Sequence, residues 1–277
     1  MVTDIDISMV ITTFNRGSLL RHSLQRLIGM DDLPAELLVI DDGGEDDTVF
    51  VCEEFAQYLP IRYIYNHNPG PSICSMARNI GLKEAQHDWI VTSEPELMYR
   101  TNILAQFAEL HEEYRTQIIS AGTVYFAPAE WSGADVGQLG HPEMVKAGDY
   151  TPPSGSQEAI GWVAPYTALW YRPWLMDLGG WDESFPGYWG WDDIDLLTRL
   201  RISGYGQHIA LGCEAVHQFH GLGGDANFVN EEHFFKKSFT HGQEKHICHE
   251  DCPQVPEDLT DAIANKGKSW GLITPRS

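Results

Sequence analysis

Four groups of polar residues stand where the chain leaves apolar runs. Glu94 and Glu96, separated by Pro95, close the strand-forming run Trp89-Ile90-Val91-Thr92. Proline disfavours helix in the residue before it. These carboxylates therefore belong to a strand end, either as a solvated loop or as part of a ligand site. Asp192, Asp193 and Asp195 crowd into "WGWDDIDLLTRL", where a helix dipole favours acids in the first turn and where carboxylates could also face a ligand. His217 and His220 of "AVHQFHG" follow another strand, and Asp41 and Asp42 end "ELLVIDD" just before Gly43-Gly44. Histidines so placed are structural or ligating, and such aspartates form turns or contact a ligand. The chemistry within reach of these side chains is proton transfer, hydroxyl binding and coordination of hard cations.

Each group needs an element to hold it. "IDISMVITTF" and "ELLVIDD" are short continuous apolar runs with polar ends, the pattern of strands covered on both faces. Between them Leu20, Leu24, Leu27 and Ile28 fall on one helical face, and Val49, Cys52, Ala56 and Leu59 do so after them. "IRYIYN" predicts a third strand. A helix follows, with Ser72 as N-cap and Ile73, Met76, Ala77 and Ile80 inward. Repeated βα units imply a parallel sheet with right-handed crossovers, and ligands bind beyond the carboxyl ends of such strands. Those ends carry Thr12-Thr13-Phe14-Asn15, Asp41-Asp42-Gly43-Gly44, Asn66-His67-Asn68 and Ser93-Glu94-Pro95-Glu96. Arg78, in "MARNIG", lies in the helix that faces this edge.

Residues 122–160 are rich in Gly, Pro and Ser without periodicity, which reads as a binding loop or lid. "GWVAPYTALWYRPWLMDLGGWDESF" predicts a strand, a short helix and a turn. "WDDIDLLTRLRISGY" predicts a helix ended by Gly204, and "GQHIALGCEAVHQFHG" two short strands. The polar tail after about residue 225 has no long periodic segment. Its His246, Cys248, His249 and Cys252 match no common zinc spacing and read as exposed tail.

Acids outnumber bases 40 to 18, for a net charge of −22. Such a chain repels nucleic-acid phosphates and anionic lipid headgroups, so neither is expected as a partner. An anionic ligand would need local donors or a bound cation. No window reaches the roughly 20 apolar residues of a membrane span, and the N-terminal "MVTDIDISMVITTFNR" lacks the basic region of a signal peptide. Cys52, Cys74 and Cys213 show no disulfide-like pattern, predicting a reducing, cytoplasmic setting.

Taken in order, the motifs over roughly residues 5–220 resemble the family 2 glycosyltransferases of the GT-A fold. "VITTFNR" stands at that family's first strand and nucleotide-contacting turn, and "VIDDGGEDDT" at its Asp-Asp-Gly-Ser segment. "NPGPSICSMARNIGLKEA" resembles the Asn-x-Gly…Ala-Arg-Asn-x-Gly segment. "GGWDESFPGYWGWDDIDLLTRLRISGY" resembles the acceptor segment with its Gly-Gly-Phe-Asp-Glu start and Glu-Asp pair. The resemblance implies an α/β, Rossmann-like GT-A domain, with a mixed, mostly parallel sheet flanked by helices. That domain would span residues 1–225, with 1–100 as nucleotide half and 101–225 as acceptor half, and 226–277 would be a tail or extension.

It also implies roles. Thr12, Phe14, Arg16, Asp41, Asp42 and Arg78 would bind the nucleotide. Glu94 and Glu96 occupy the place of the Asp-x-Asp metal motif, and His217, with His220 as runner-up, would complete a Mn2+ or Mg2+ site. Asp193 would be the general base and Asp192 would hold acceptor hydroxyls. Trp189 and Trp191, framed by Trp181 and Tyr188, would stack on acceptor sugar. The activity implied is inverting transfer from a nucleotide-sugar donor, UDP-linked, to a carbohydrate or glycoconjugate acceptor. A nucleotidyltransferase shares the nucleotide half but needs a Gly-rich basic loop that "TTFNRGS" supplies poorly; a binding relic with a decayed metal motif is the non-enzyme alternative.

Overall fold

The computed structural model describes residues 5–68, 70, 72, 74–114, 117–127, 156–158, 165–185, 190–220 and 230–234. Strands β1 (Ile7–Thr13), β2 (Glu36–Asp41), β3 (Ile61–Tyr65) and β4 (Trp89–Ser93) alternate with helices α1 (Gly17–Ile28), α2 (Thr48–Phe55) and α3 (Cys74–Glu84). Then come β5 (Leu97–Tyr99), α4 (Ile103–His111), β6 (Gln117–Phe126), β7 (Ser156–Glu158), β8 (Ala168–Tyr171), α5 (Arg172–Asp177), α6 (Asp192–Ile202) and β9 (Gly206–His217). One sheet holds all these strands in the order β3-β2-β1-β4-β8-β6-β9-β5, with β7 beside β9. β1 to β4, β6 and β9 run one way, while β5, β7 and β8 run against them. The sheet is thus mixed and mostly parallel, and it crosses the boundary expected at residue 100 through the β4–β8 pairing.

Strand alternation divides the core between two faces. Met9, Ile11, Leu37, Val39 and Val91 pack with Leu20, Leu24, Leu27, Phe55 and Phe107. Val10, Leu38, Ile40 and Ile90 meet Ala77, Leu82, Trp170, Trp181, Leu196 and Leu200 on the other side. α3 lies close against β1: a Cβ on Gly81 would come within 2.3 Å of Val10 Cγ1. That close approach brings the next turn of α3, with Arg78, over the strand ends.

Three expectations are corrected. The inner face of α2 is Thr48, Val51, Cys52 and Phe55, with Leu59 beyond it, whereas Val49 is half-buried and Ala56 exposed. The i, i+3, i+4, i+7 stripe that starts at Thr48 buries two larger side chains, Val51 and Phe55, than the stripe through Val49 and Ala56 would. "GQHIALGCEAVH" forms one strand rather than two, because β6, β5 and β7 all pair with it and the irregularity is absorbed by a register shift at the Ala121/Thr123 step. Part of the expected 122–160 loop is strand: β6 runs to Phe126 and β7 occupies Ser156–Glu158. The rest of that loop lies outside the described residues, as does the tail cluster from His246 to Cys252. Cys52, Cys74 and Cys213 are free thiols. No helix among the described residues is long and apolar enough to cross a membrane.

Asp195 does more than suit a helix dipole. It is buried, and its Oδ2 accepts from Arg199 Nε at 2.9 Å. Arg199 donates onward to the carbonyls of Leu178 (2.7 Å) and Gly180 (2.6 Å), tying α6 to the turn before Trp181. Breaking such a pair strands a buried charge, which costs about 3–5 kcal/mol. Asp195→Asn is therefore expected to lower the unfolding free energy by about 3–5 kcal/mol, read from equilibrium denaturant unfolding; an unchanged midpoint would show that the pair contributes little.

Candidate active site

The pairing of β5 with β9 sets Leu97 opposite His217, so the residue before β5, Glu96, and the end of β9 meet. Gln218 N–H donates to the Glu96 carbonyl at 3.0 Å and fixes this corner. Glu96, His217 and His220 each offer one ligand atom, all within 4.8 Å of one another. Nε2 of His220 lies 3.1 Å and Nε2 of His217 lies 3.5 Å from Glu96 Oε1. The Gln218 carbonyl, 3.0 Å from His217 Nδ1, suits an Nδ1–H donor and so leaves Nε2 as the ligating nitrogen. Burial lowers the pKa of His217 despite Glu96, favouring neutral imidazole. Burial pushes Glu96 up, but the hydrogen bond from His220 and the charges of both histidines leave it below its usual value. The buried atoms Glu96 Oε2 and His220 Nδ1 have no hydrogen-bond partner. Converging carboxylate and imidazole with spare buried donors fit a divalent cation such as Mn2+.

Glu94 stands apart from this trio. It lies 3.9 Å from His217 Nε2 and 3.8 Å from Arg78. Burial, then the Glu96 carboxylate, push its pKa up to about 8. It links the cluster to a second constellation.

That constellation centres on Arg78, buried in α3. Its NH1 lies 2.9 Å from Asp192 Oδ2 and 2.9 Å from Asp193 Oδ1. Burial opposes its charge, and the carboxylates of Asp193, Asp192 and Glu94 more than compensate, so it stays a cation. Asp192 also accepts from Ser75 Oγ at 3.1 Å and is 2% exposed. The residue expected to hold acceptor hydroxyls is thus turned into the protein. Asp193 keeps a 20% exposed side chain, and its Oδ1 receives a second donor, Trp181 Nε1, at 3.0 Å. Burial raises its pKa to about 6 against the pull of Arg78.

At the β1 and β2 ends the expected nucleotide contacts separate into two kinds. Phe14 is exposed. Arg16 precedes α1, and its charge is felt by both Glu96 and His217. Thr12 Oγ1 lies 3.9 Å from Cys74 Sγ. Asp41 and Asp42, in contrast, are buried and spend their oxygens internally. Asp41 accepts from Gly44 N–H and Tyr63 OH, both at 2.8 Å, and Asp42 from Asn66 at 2.7 Å and Asn68 at 3.2 Å. Burial raises the pKa of Asp41. They shape the turn, as their sequence position also allowed.

Trp191 is 8% exposed and packs on Phe234, ring centroids 5.2 Å apart; little of its face is open to a sugar. It caps α6 with φ of 66° after Gly190 at 86°, a strained conformation for a tryptophan. Asn230 donates to the Gly190 carbonyl at 2.8 Å, so residues 230–234 of the expected tail brace this segment. Trp189 and Tyr188 lie outside the described residues. Sequence reasoning missed Ser75, the indole donor of Trp181, and Gln218, whose side chain donates to Leu19 O at 3.1 Å and Ser23 Oγ at 3.2 Å. Only Gln218 had a visible signal, its place between the two histidines.

This sheet and its neighbours define the class: a GT-A glycosyltransferase fold. The chain aligns with S. aureus TarS in complex with UDP-GlcNAc at a TM-score of 0.59 and 14% identity, covering 85% of this chain and 65% of that one. It aligns with GalNAc-T7 with UDP, GalNAc and Mn2+ at 0.61 and 13%, covering 86% and 48%. The profile of Glycosyl transferase family 2 matches residues 8–147, just over half of the chain, and the chain belongs to that family. Among curated relatives, the validoxylamine A glucosyltransferase of Streptomyces hygroscopicus subsp. limoneus is 26% identical over 98% of this chain and 62% of that protein. The chondroitin synthase of Pasteurella multocida (strain Pm70) is 23% identical over 78% and 25%. The chain spans less than two thirds of the length of these relatives.

If Glu96 and His217 ligate a cation, Glu96→Gln and His217→Ala should each weaken Mn2+ binding by about tenfold or more, no less than the roughly 10–100-fold loss of an outer partner. Calorimetry or the Mn2+ spin-resonance signal reads this without substrate. Unchanged affinity in both variants would remove the site.

Proposed function

We propose that this family 2 glycosyltransferase moves a hexosyl group from a UDP-sugar to a hydroxyl of a carbohydrate or glycoconjugate, with inversion at the anomeric carbon. The observation that carries this reading is the state of Asp193. Both its protein donors fall on Oδ1, its side chain stays 20% exposed, and the Arg78 that holds it also reaches Glu94 beside the Glu96, His217 and His220 cluster. A carboxylate held by one oxygen and open at the other is a positioned proton acceptor.

In this reading the nucleotide lies along the ends of β1 and β2, against Thr12, Phe14 and Arg16, over the turn that Asp41 and Asp42 build. Arg16 supports it: its guanidinium makes no hydrogen bond or ion pair among the described residues. Arg78, rather than touching phosphate, holds Asp192 and Asp193 in place. Asp193 Oδ2 takes the acceptor hydroxyl proton as that oxygen forms its bond to the anomeric carbon. The bond from that carbon to the diphosphate breaks on the opposite face, and the electron pair leaves with the diphosphate. A Mn2+ or Mg2+ held by Glu96, His217 and His220 would neutralise the charge that the diphosphate gains. UDP is favoured because structural neighbours were solved with UDP, UDP-GlcNAc, or UDP and Mn2+. The reading keeps residues 1–225 as the transferase unit, with 226–277 as an extension, in a cytoplasmic protein.

The test is UDP release from UDP-glucose and UDP-N-acetylglucosamine, with carbohydrate acceptors or water, alongside UDP affinity. Asp193→Asn should lower turnover by roughly 10²-fold or more while UDP affinity persists; near-normal turnover would move the base elsewhere. Equal UDP affinity with Mn2+ and with chelator would remove the metal from the mechanism. Since the base must be ionised and its pKa is raised to about 6, turnover should climb as pH rises through that value. An acid limb near the ordinary aspartate range of about 4 would argue against the buried arrangement.

A further inference from the structure

The turn before Asp182 is built with unusual firmness around one residue. Asn79 of α3 grips the backbone of Trp181 from both sides: its Nδ2 donates to the Trp181 carbonyl at 2.7 Å, and its Oδ1 accepts from Trp181 N–H at 2.8 Å. Gly180 has φ of +72°, and a Cβ there would meet Asn79 Oδ1 at 2.3 Å, so this grip requires glycine. Arg199 holds the Gly180 carbonyl at 2.6 Å. The indole is 1% exposed and edge-on to Trp170, centroids 5.6 Å apart. Its one polar atom donates to Asp193 Oδ1.

Resting on the reading of Asp193 as the base, we infer that Trp181 is a positioning residue for that base: its buried N–H holds Oδ1, so that Oδ2 alone meets the acceptor. Sugar stacking is not its role, because no face of the ring is open. A phenylalanine would fill much of the same pocket but leave Oδ1 to Arg78 alone. Arg78 is shared with Asp192 and, at longer range, Glu94, so it does not fix the carboxylate by itself. Arg78 NH1 divides its donation between Asp192 and Asp193, whereas the indole N–H reaches Asp193 Oδ1 from a backbone clamped by Asn79. Burial means that the lost donor cannot be replaced by bulk water. The groups that face Asp193 are Arg78 and Cys74 from α3, Asp192 from α6, Trp181 from the turn and Glu94 from the end of β4.

The test compares the full chain with Trp181→Phe and with protein carrying 3-benzothienylalanine at position 181, which keeps the two-ring shape without the N–H. The Asp193 carboxyl carbon is followed by NMR in protein labelled at aspartate, its signal identified by its loss in Asp193→Asn. In both altered proteins its titration midpoint should move up by about one pH unit. The acid limb of UDP release from a UDP-sugar should move with it, so that the loss near pH 6 is about fivefold greater than on the alkaline plateau. A midpoint that stays in place, with turnover changed equally at all pH values, would overturn the inference and leave Trp181 as packing. If Trp181→Phe does not fold, the isosteric replacement decides alone. A shifted midpoint together with normal turnover of Asp193→Asn would instead leave the indole contact standing and fail the base assignment.

Discussion

Burying a guanidinium costs several kcal/mol unless carboxylates surround it closely. Arg78 is buried and meets Asp192, Asp193 and Glu94, each contributed by a segment other than its own helix. The exchange works in both directions. Without Arg78 the acids would repel one another in a poorly solvated space, and without the acids the cation could not remain there. Because the partners come from the end of β4 and from the start of α6, the ion group also ties the first four strands to the later half of the chain. The close contact of Gly81 with β1 and the clamp of Asn79 on Trp181, both just after it along α3, set where this cation can stand.

The Glu96, His217 and His220 trio depends on a different constraint, strand register. β5 is only three residues long, yet its pairing with β9 decides which residue of the long strand lies beside Glu96. A slip by one residue would turn His217 to the opposite face. Gln218 guards against this from two directions, with its backbone on Glu96 and its side chain on α1, while Ser23 Oγ reaches Pro95 O at 2.7 Å. Glu96 therefore owes its position to a strand far away in sequence, and the proline next to it is anchored by the first helix.

Much of this was legible in the chain, and the limits have physical causes. The first four strands could be read because each is a short apolar run with polar ends, and Glu94, Glu96, Asp193 and His217 were picked out by type and place. What pairs with what was not legible. Asp192 and Asp193 are adjacent and chemically identical, yet one is turned inward to Ser75 and the other stays partly open; the helix phase and the Gly190-Trp191 turn decide this. Asp195 looked like a dipole acid because its partner Arg199 gains meaning only when both are buried against the Leu178 and Gly180 carbonyls. Asp41 and Asp42 could be read as turn formers or as ligand contacts, and the donors that meet them, Tyr63, Asn66 and Asn68, lie in or just after the next strand, out of reach of sequence reading. Aromatic side chains misled most: Trp181 and Trp191 suggest sugar platforms by composition, but both are enclosed.

The charge of the whole molecule gives these details a common reason. A chain with net charge −22 presents a repulsive field to a diphosphate, so the site must cancel it locally. Arg78 is already committed to carboxylates, while the charge of Arg16 reaches Glu96 and His217. Glu94 lies between the two constellations, touching Arg78 on one side and His217 on the other. Burial first, and then the Glu96 carboxylate, raise its pKa. A divalent ion beside Glu96 would offset that carboxylate's charge and favour the ionised form of Glu94. Glu96, His217, Glu94, Arg78 and Asp193 thus form one row of neighbouring charged side chains, so charge gained at one end is felt at the other.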